Sequence, residues 1–147
     1  MKDIELFITV GLPRSGKSTV IRESYANRMP VVSPDAIRLA MHGQRFAIQA
    51  EPLVWATAKI MLNALIGAGN TQICIDATNT TRWQRDSWLP EAKRHFLVFE
   101  TPARICKERA VATGQDDLIP IIEKMNMEFE NVVSDEGTKT VIPYVGE

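Results

Sequence analysis

Apolar positions along the chain fall into two rhythms that take turns. Residues 4–10 (IELFITV) form a short apolar run before a glycine, the pattern of a buried strand. Val20, Ile21 and Tyr25 then recur at helical spacing over 19–28, and 29–32 reads as a second strand. Ser33 as N-cap, Pro34 at the first helical position and Asp35 in the first turn predict a helix to about His42, closed by Gly43. Residues 45–50 follow neither rhythm. Over 51–67, Val54, Ala58, Met61 and Leu65 define an apolar helix face that Trp55, Leu62 and Ile66 widen. A strand at 72–76 ends in an acid, and Thr81 with Gln84 spells a capping box opening a polar helix to His95. A strand at 96–100, a helix capped by Thr101-Pro102, a helix from Pro120 with Ile121, Ile122, Met125 and Phe129, and a strand at 138–144 complete the chain.

Strands alternate with helices throughout, so the expected fold class is α/β: one domain over 1–147 with a central parallel sheet of about five strands and helices on both faces. In such sheets ligands sit beyond the carboxyl ends of the strands. The segments 11–18, 33–38, 76–85 and 101–109 all begin there.

Composition narrows the class of protein. With 147 residues the chain is long enough to bury a core, and Cys74 and Cys106 show neither metal-ligand spacing nor a disulfide pattern. The opening residues MKDIELF read as neither signal nor transit peptide, and no apolar run reaches membrane-spanning length, so a cytoplasmic protein without a membrane partner is expected. The 17 Lys and Arg against 18 Asp and Glu, a formal net charge of -1, argue against a surface that grips long nucleic acid nonspecifically. A local pocket for one strand end stays compatible with that charge.

The most informative stretch is Gly11-Leu12-Pro13-Arg14-Ser15-Gly16-Lys17-Ser18, a full G-x-x-x-x-G-K-[ST] loop between a strand and a helix. Its glycines let backbone N–H groups approach a polyphosphate, Lys17 supplies a point charge for the terminal phosphates, and the Ser18 hydroxyl is a ligand for Mg²⁺. Nucleotide-contacting residues are therefore Gly11, Pro13, Arg14, Ser15, Gly16, Lys17, Ser18 and Thr19, with ATP and Mg²⁺ as the expected cofactors. Asp76, at the end of its strand, is the second candidate metal-orienting group; capping the next turn is its alternative role.

Asp35 stands beyond the second strand, where a carboxylate can take the proton of an attacking hydroxyl, or simply favour its helix dipole. Arg38 lies one turn on, on the same face, and either pairs with Asp35 or holds an anionic acceptor group. Thr78 and Asn79 offer a hydroxyl and an amide at the strand mouth. Arg82 and Arg85 read equally as a solvated face or as substrate-phosphate ligands. Arg109, with Arg104 and Lys107 as competitors, leads into a segment, 112–117, that reads as flexible, so 104–117 is a candidate lid carrying a catalytic cation. A second flexible stretch is expected at 134–137. His42 and His95 stand alone.

The combination of GLPRSGKS at 11–18, SPDAIRLAMH at 33–42, IDATNTTRWQR at 75–85 and the run from Arg109 through IPIIEKMNMEFE resembles the P-loop hydroxyl kinases, and among them the kinase domain of polynucleotide kinase. The resemblance implies the P-loop NTPase/kinase fold and transfer of the ATP γ-phosphate to the 5′-hydroxyl of DNA or RNA. It further implies that Lys17 and Ser18 bind phosphates and Mg²⁺, that Asp35 is the general base, that Arg38 contacts the acceptor's 3′-phosphate and that Arg109 is a lid arginine. With Lys17, Asp35 and Arg109 as the expected catalytic residues, Thr78, Asn79 and Arg82 are expected on the acceptor side from their own place at the strand mouth. The family carries a second lid arginine four positions after the first, where this chain has Thr113. That departure keeps a different acceptor open: a hydroxymethylated base, a nucleoside or a small metabolite. A nucleotide-binding switch without an acceptor is the third reading.

Overall fold

The computed structural model describes residues 3–43 and 48–145. The expected ambiguity at 45–50 falls partly outside them; Ile48–Ala50 is a single 3₁₀ turn. Five strands, β1 (Glu5–Val10), β2 (Val31–Val32), β3 (Gln72–Ile75), β4 (Lys93–Phe99) and β5 (Thr138–Ile142), form one sheet in the order β2-β3-β1-β4-β5. Every pairing is parallel. Among the described residues six α-helices lie between them: α1 (Lys17–Ser24), α2 (Pro34–His42), α3 (Glu51–Gly67), α4 (Arg82–Asp86), α5 (Ala103–Ala112) and α6 (Ile119–Glu128).

Period-two alternation along the strands divides the core between the two faces. Leu6, Ile8 and Val10 of β1, with Ile73, Ile75, Phe96 and Val98, point to the face covered by α3, where Val54, Ala58 and Leu62 are buried. Met61, expected in that stripe, is instead partly exposed, because the buried row runs 54, 58, 62 at four-residue intervals. The other face carries Phe7, Cys74, Leu97 and Phe99 against Ile21 of α1. A third cluster joins Leu12 of the loop to Cys106 and Ala110 of α5 and Ile122 of α6.

Three expectations are corrected. The helix opened by the capping box is only α4; Leu89, at φ 36, and Pro90 stop the helical path, and His95 belongs to β4. His95 is not alone: Nε2 lies 2.8 Å from Glu5, Nδ1 lies 2.7 Å from Thr138 Oγ1, and its ring stacks on Phe7. The stretch 134–137 is not loose. Glu136 is buried against Arg85, and a Cβ on Gly137 would meet the Arg94 carbonyl oxygen at 2.3 Å. The candidate lid over 104–117 is outside these corrections: it takes in most of α5, a turn at Gly114 and the 3₁₀ turn Asp116–Leu118.

Candidate active site

The phosphate loop is built as its residue types require. A Cβ on Gly11 would lie 2.7 Å from Ser15 Oγ and 3.0 Å from Phe99 Cβ, so only glycine fits there. Arg14 at φ 68 and Gly16 at φ 99 turn successive N–H groups inward, an anion-binding concavity. Gly16 caps α1 without any side-chain hydrogen bond, so the first-turn N–H groups of that helix are left for a ligand. The loop is held from outside: Gly11 N–H donates to the Thr78 carbonyl (2.9 Å), and Thr101 Oγ1 donates to the Ser15 carbonyl (2.9 Å). Thr101 thus braces the loop, while α5 starts behind Pro102 with no side-chain cap.

Lys17 folds back over this loop, Nζ donating to the Leu12 carbonyl at 2.6 Å and reaching Ser15 Oγ at 3.4 Å. Burial pushes its ammonium down to about 8, against the opposing pull of Asp76 and Asp35. A polyphosphate would restore the charge. In the nucleotide-free protein the sign is clear: the unfolded chain keeps this proton up to the ordinary value of 10.5, the folded one loses it near 8. Stability contributed by Lys17 therefore rises with pH between those values. Lys17→Met is expected to remove that rise and to stabilise the empty protein at neutral pH by about 1–3 kcal/mol while abolishing nucleotide binding. Urea unfolding across pH 7–10 measures it; an unchanged pH dependence in the variant would contradict it.

Ser18 and Asp76 meet across the sheet, Oγ donating to Oδ2 at 3.0 Å. Burial raises the Asp76 carboxyl pKa, while the Ser18 hydrogen bond and the Lys17 charge oppose that rise. A hydroxyl and a carboxylate in contact beside the loop fit Mg²⁺, which takes few protein ligands and completes its shell with phosphate oxygens and water. Among the described residues no cluster of three or more His, Cys, Asp or Glu forms a separate metal site.

The acceptor side is α2 backed by α3. Ser33 Oγ accepts from Ala36 N–H, fixing the first turn of α2 and with it Asp35, whose side chain is 81% exposed. Its charge acts on both Lys17 and Asp76. Arg38 Nη1 donates to Asp35 Oδ1 at 2.6 Å, while Nε and Nη2 donate to the two oxygens of Glu51 at 2.8 and 2.7 Å. Burial opposes the Arg38 charge, but the two carboxylates outweigh it and hold the guanidinium pKa above its ordinary value. The Trp55 ring flanks the same guanidinium. Glu51 and Trp55 were missed in the sequence. Their spacing on α3, one turn apart, was visible, but their partner on another helix was not.

Asn79 and Arg85 leave the list of acceptor ligands. Asn79 is fully buried in a left-handed conformation, φ 46, its amide donating to the Thr9 carbonyl and accepting from Trp88 Nε1. Arg85 is neither solvated nor a phosphate ligand: it is enclosed, paired with Glu136 and bound to the carbonyls of Asn79 and Asn131. Arg82 stays near the surface but pairs with Asp86 and Asp135.

Arg109 reaches the loop, Nη1 donating to the Arg14 carbonyl at 3.0 Å, and Arg14 answers with a 3.4 Å bond to the Arg109 carbonyl. Thr113 donates to the carbonyls of Arg109 and Ala110, finishing α5. Lys107 pairs with Glu123 of α6, and Arg104 is exposed. Arg85 and Arg82 are both committed to carboxylates. Arg14 is the cation next to Arg109.

Phosphate loop, five-stranded parallel sheet in this order and flanking helices define a P-loop kinase-like, nucleotide-binding domain. The chain belongs to the family described as AAA domain, which matches residues 6–125. Among solved structures it is similar to a chain of the Pnkp1/Rnl/Hen1 complex, at 28% identity over 74% of this chain and 40% of that one, with a TM-score of 0.62. It is also similar to a gluconokinase from Sinorhizobium meliloti 1021, at 18% identity over 100% of this chain and 86% of that one, TM-score 0.63. A third is Kti12 from Chaetomium thermophilum in complex with ADP-AlF3, at 18% identity over 95% and 89% of the two chains, TM-score 0.64. The chain spans less than half the length of the first two solved chains it matches, 40% and 47%. No curated protein matches it. Among the described residues no helix is long and apolar enough to cross a membrane.

Proposed function

We propose that the protein is an Mg²⁺-ATP-dependent kinase that transfers the γ-phosphate to an alcohol, with a nucleic-acid 5′-hydroxyl the first acceptor to test. The observation that supports the reaction class is that the charge of Asp35, in the first turn of α2, is felt at both Lys17 and Asp76. A switch has no use for a carboxylate there. Ser18 and Asp76 would hold Mg²⁺, which would supply charge neutralisation on the phosphates. Lys17 and the N–H groups of the loop hold the β- and γ-phosphates, Arg109 with Arg14 adds positive charge above them, and Asp35 accepts the proton of the attacking hydroxyl. The nucleic-acid acceptor is supported by the shared motifs and by the likeness to a chain of the Pnkp1/Rnl/Hen1 complex.

One observation favours a second acceptor class, a hydroxyl compound with no phosphate beside it: Arg38 is already held by two carboxylates. Incubation with γ-labelled ATP and a panel of 5′-hydroxyl oligonucleotides, base-hydroxymethylated DNA, nucleosides and sugars separates the readings. Label is expected on at least one hydroxyl acceptor. ATP hydrolysis with no labelled acceptor in the panel would overturn the kinase reading.

A further inference from the structure

Arg38 is the cation paired with Asp35 on α2. A guanidinium offers five N–H groups, and the edge made by Nε and one Nη matches a carboxylate or a phosphate equally well. Here that edge is filled. Nε and Nη2 form a two-pronged bond to Glu51, and the remaining terminal nitrogen, Nη1, donates to Asp35. The pair is shielded, with side-chain exposures of 13% for Arg38 and 16% for Glu51, and the Trp55 ring covers the guanidinium at 5.9 Å. Glu51 and Trp55 stand one turn apart on α3, so a single helix face supplies both the carboxylate and the ring. Three of the five N–H groups are committed, the whole Nε–Nη2 edge among them, and the one positive charge already faces two negative ones. An acceptor phosphate here would thus meet a guanidinium whose charge is answered and whose two-pronged edge is taken.

We propose that Glu51 sets the charge of the acceptor: by occupying the two-pronged edge of Arg38 it turns that arginine into the anchor of Asp35, and the pocket selects a neutral alcohol with no phosphate at the Arg38 position. The inference rests on the reading of Asp35 as the acceptor-side base. Glu51 acts through Arg38 and is a positioning residue. A hydroxyl on nucleic acid stays compatible only where the neighbouring phosphates lie away from Arg38.

The test reads binding without turnover. Protein saturated with Mg²⁺ and a non-hydrolysable ATP analogue, so that the phosphate loop is filled, is titrated with inorganic phosphate by calorimetry. Glu51→Gln is expected to bind phosphate at least about tenfold more tightly than the unmodified protein, because the freed edge of Arg38 takes it. Adding Arg38→Ala to that variant is expected to erase the gain, and Glu51→Asp, which keeps the carboxylate, to restore exclusion. No gain in Glu51→Gln, or a gain that survives Arg38→Ala, overturns the proposal. A measurement on the unmodified protein guards against a misfolded variant: a 3′-phosphate is expected to add no more than about twofold to the affinity of deoxyadenosine, and a tenfold advantage would refute the role of Glu51. Absence of label transfer in the acceptor panel would remove the kinase reading, whereas the phosphate titration judges Glu51 independently.

Discussion

Glu136→Ala is expected to destabilise the protein by about 3–5 kcal/mol, the cost of leaving a buried guanidinium without its counter-ion. Both side chains of the Arg85–Glu136 pair have no exposure, with Nε at 2.8 Å from Oε1 and Nη2 at 3.3 Å from Oε2. The other Arg85 donors go to the Asn79 and Asn131 carbonyls, and Glu136 Oε2 also accepts from Val133 N–H at 2.9 Å. Removing the carboxylate therefore strands a charge that water cannot reach. Replacing both partners by apolar residues, as in Arg85→Met with Glu136→Leu, is expected to recover most of the loss, since a well-packed apolar pair carries no desolvation cost. Denaturant unfolding of the single and double variants measures both effects. A loss under about 1 kcal/mol for Glu136→Ala, the level of an exposed pair, would show that solvent reaches Arg85. Burial pushes the Glu136 carboxyl pKa up, but Arg85 and the Val133 N–H outweigh it and hold it below the ordinary value. The stability it contributes is thus present above pH 4.5, the ordinary value, and lost as pH falls through the lower folded one.

Asp35→Asn is expected to lower phosphoryl transfer by about 10²–10⁴-fold, the usual worth of a general base, while nucleotide affinity stays within a few-fold. Asparagine keeps the shape and accepts no proton. The fold should tolerate it, because Asp35 is mostly exposed and Arg38 keeps its two bonds to Glu51. Label transfer and nucleotide titration on the same preparation give the two readouts. Undiminished transfer would remove Asp35 from the role of base, and lost nucleotide binding would place it on the donor side.

Features written in neighbouring residues were legible in the sequence. The loop from Gly11 to Ser18, the start of α2 at Ser33-Pro34-Asp35 and the capping box of Thr81 and Gln84 each need only three to eight consecutive positions, and each has the geometry that its residue types predict. Asp76 meets Ser18 because β3 lies beside β1 in the sheet, a strand order that the sequence pattern does not contain. What escaped depends on partners far apart in the chain. Arg85 looks like a surface residue on a polar helix until Glu136, on the segment leading into β5, closes over it. Asn79 looks like a free amide until Thr9 and Trp88 are brought to it. His95 reads as the end of the preceding helix only where a polar, Arg-rich pattern outweighs the stop at Leu89-Pro90, and the backbone obeys the stop.

The position of β1 has a consequence for how the protein acquires its site. This strand precedes the other four in sequence but lies in the middle of the sheet, Glu5 pairing with Gln72 on one side and Lys93 on the other. Such distant pairings are slow to form, because a long loop must close before any contact rewards it. The phosphate loop hangs from the end of β1 and is braced by Thr78 and Thr101, so its residues are synthesised before those braces and become ordered only with them. On a ribosome the complete G-x-x-x-x-G-K-S segment would emerge long before anything could bind to it, and nucleotide binding would report the closing of the sheet rather than the appearance of the motif.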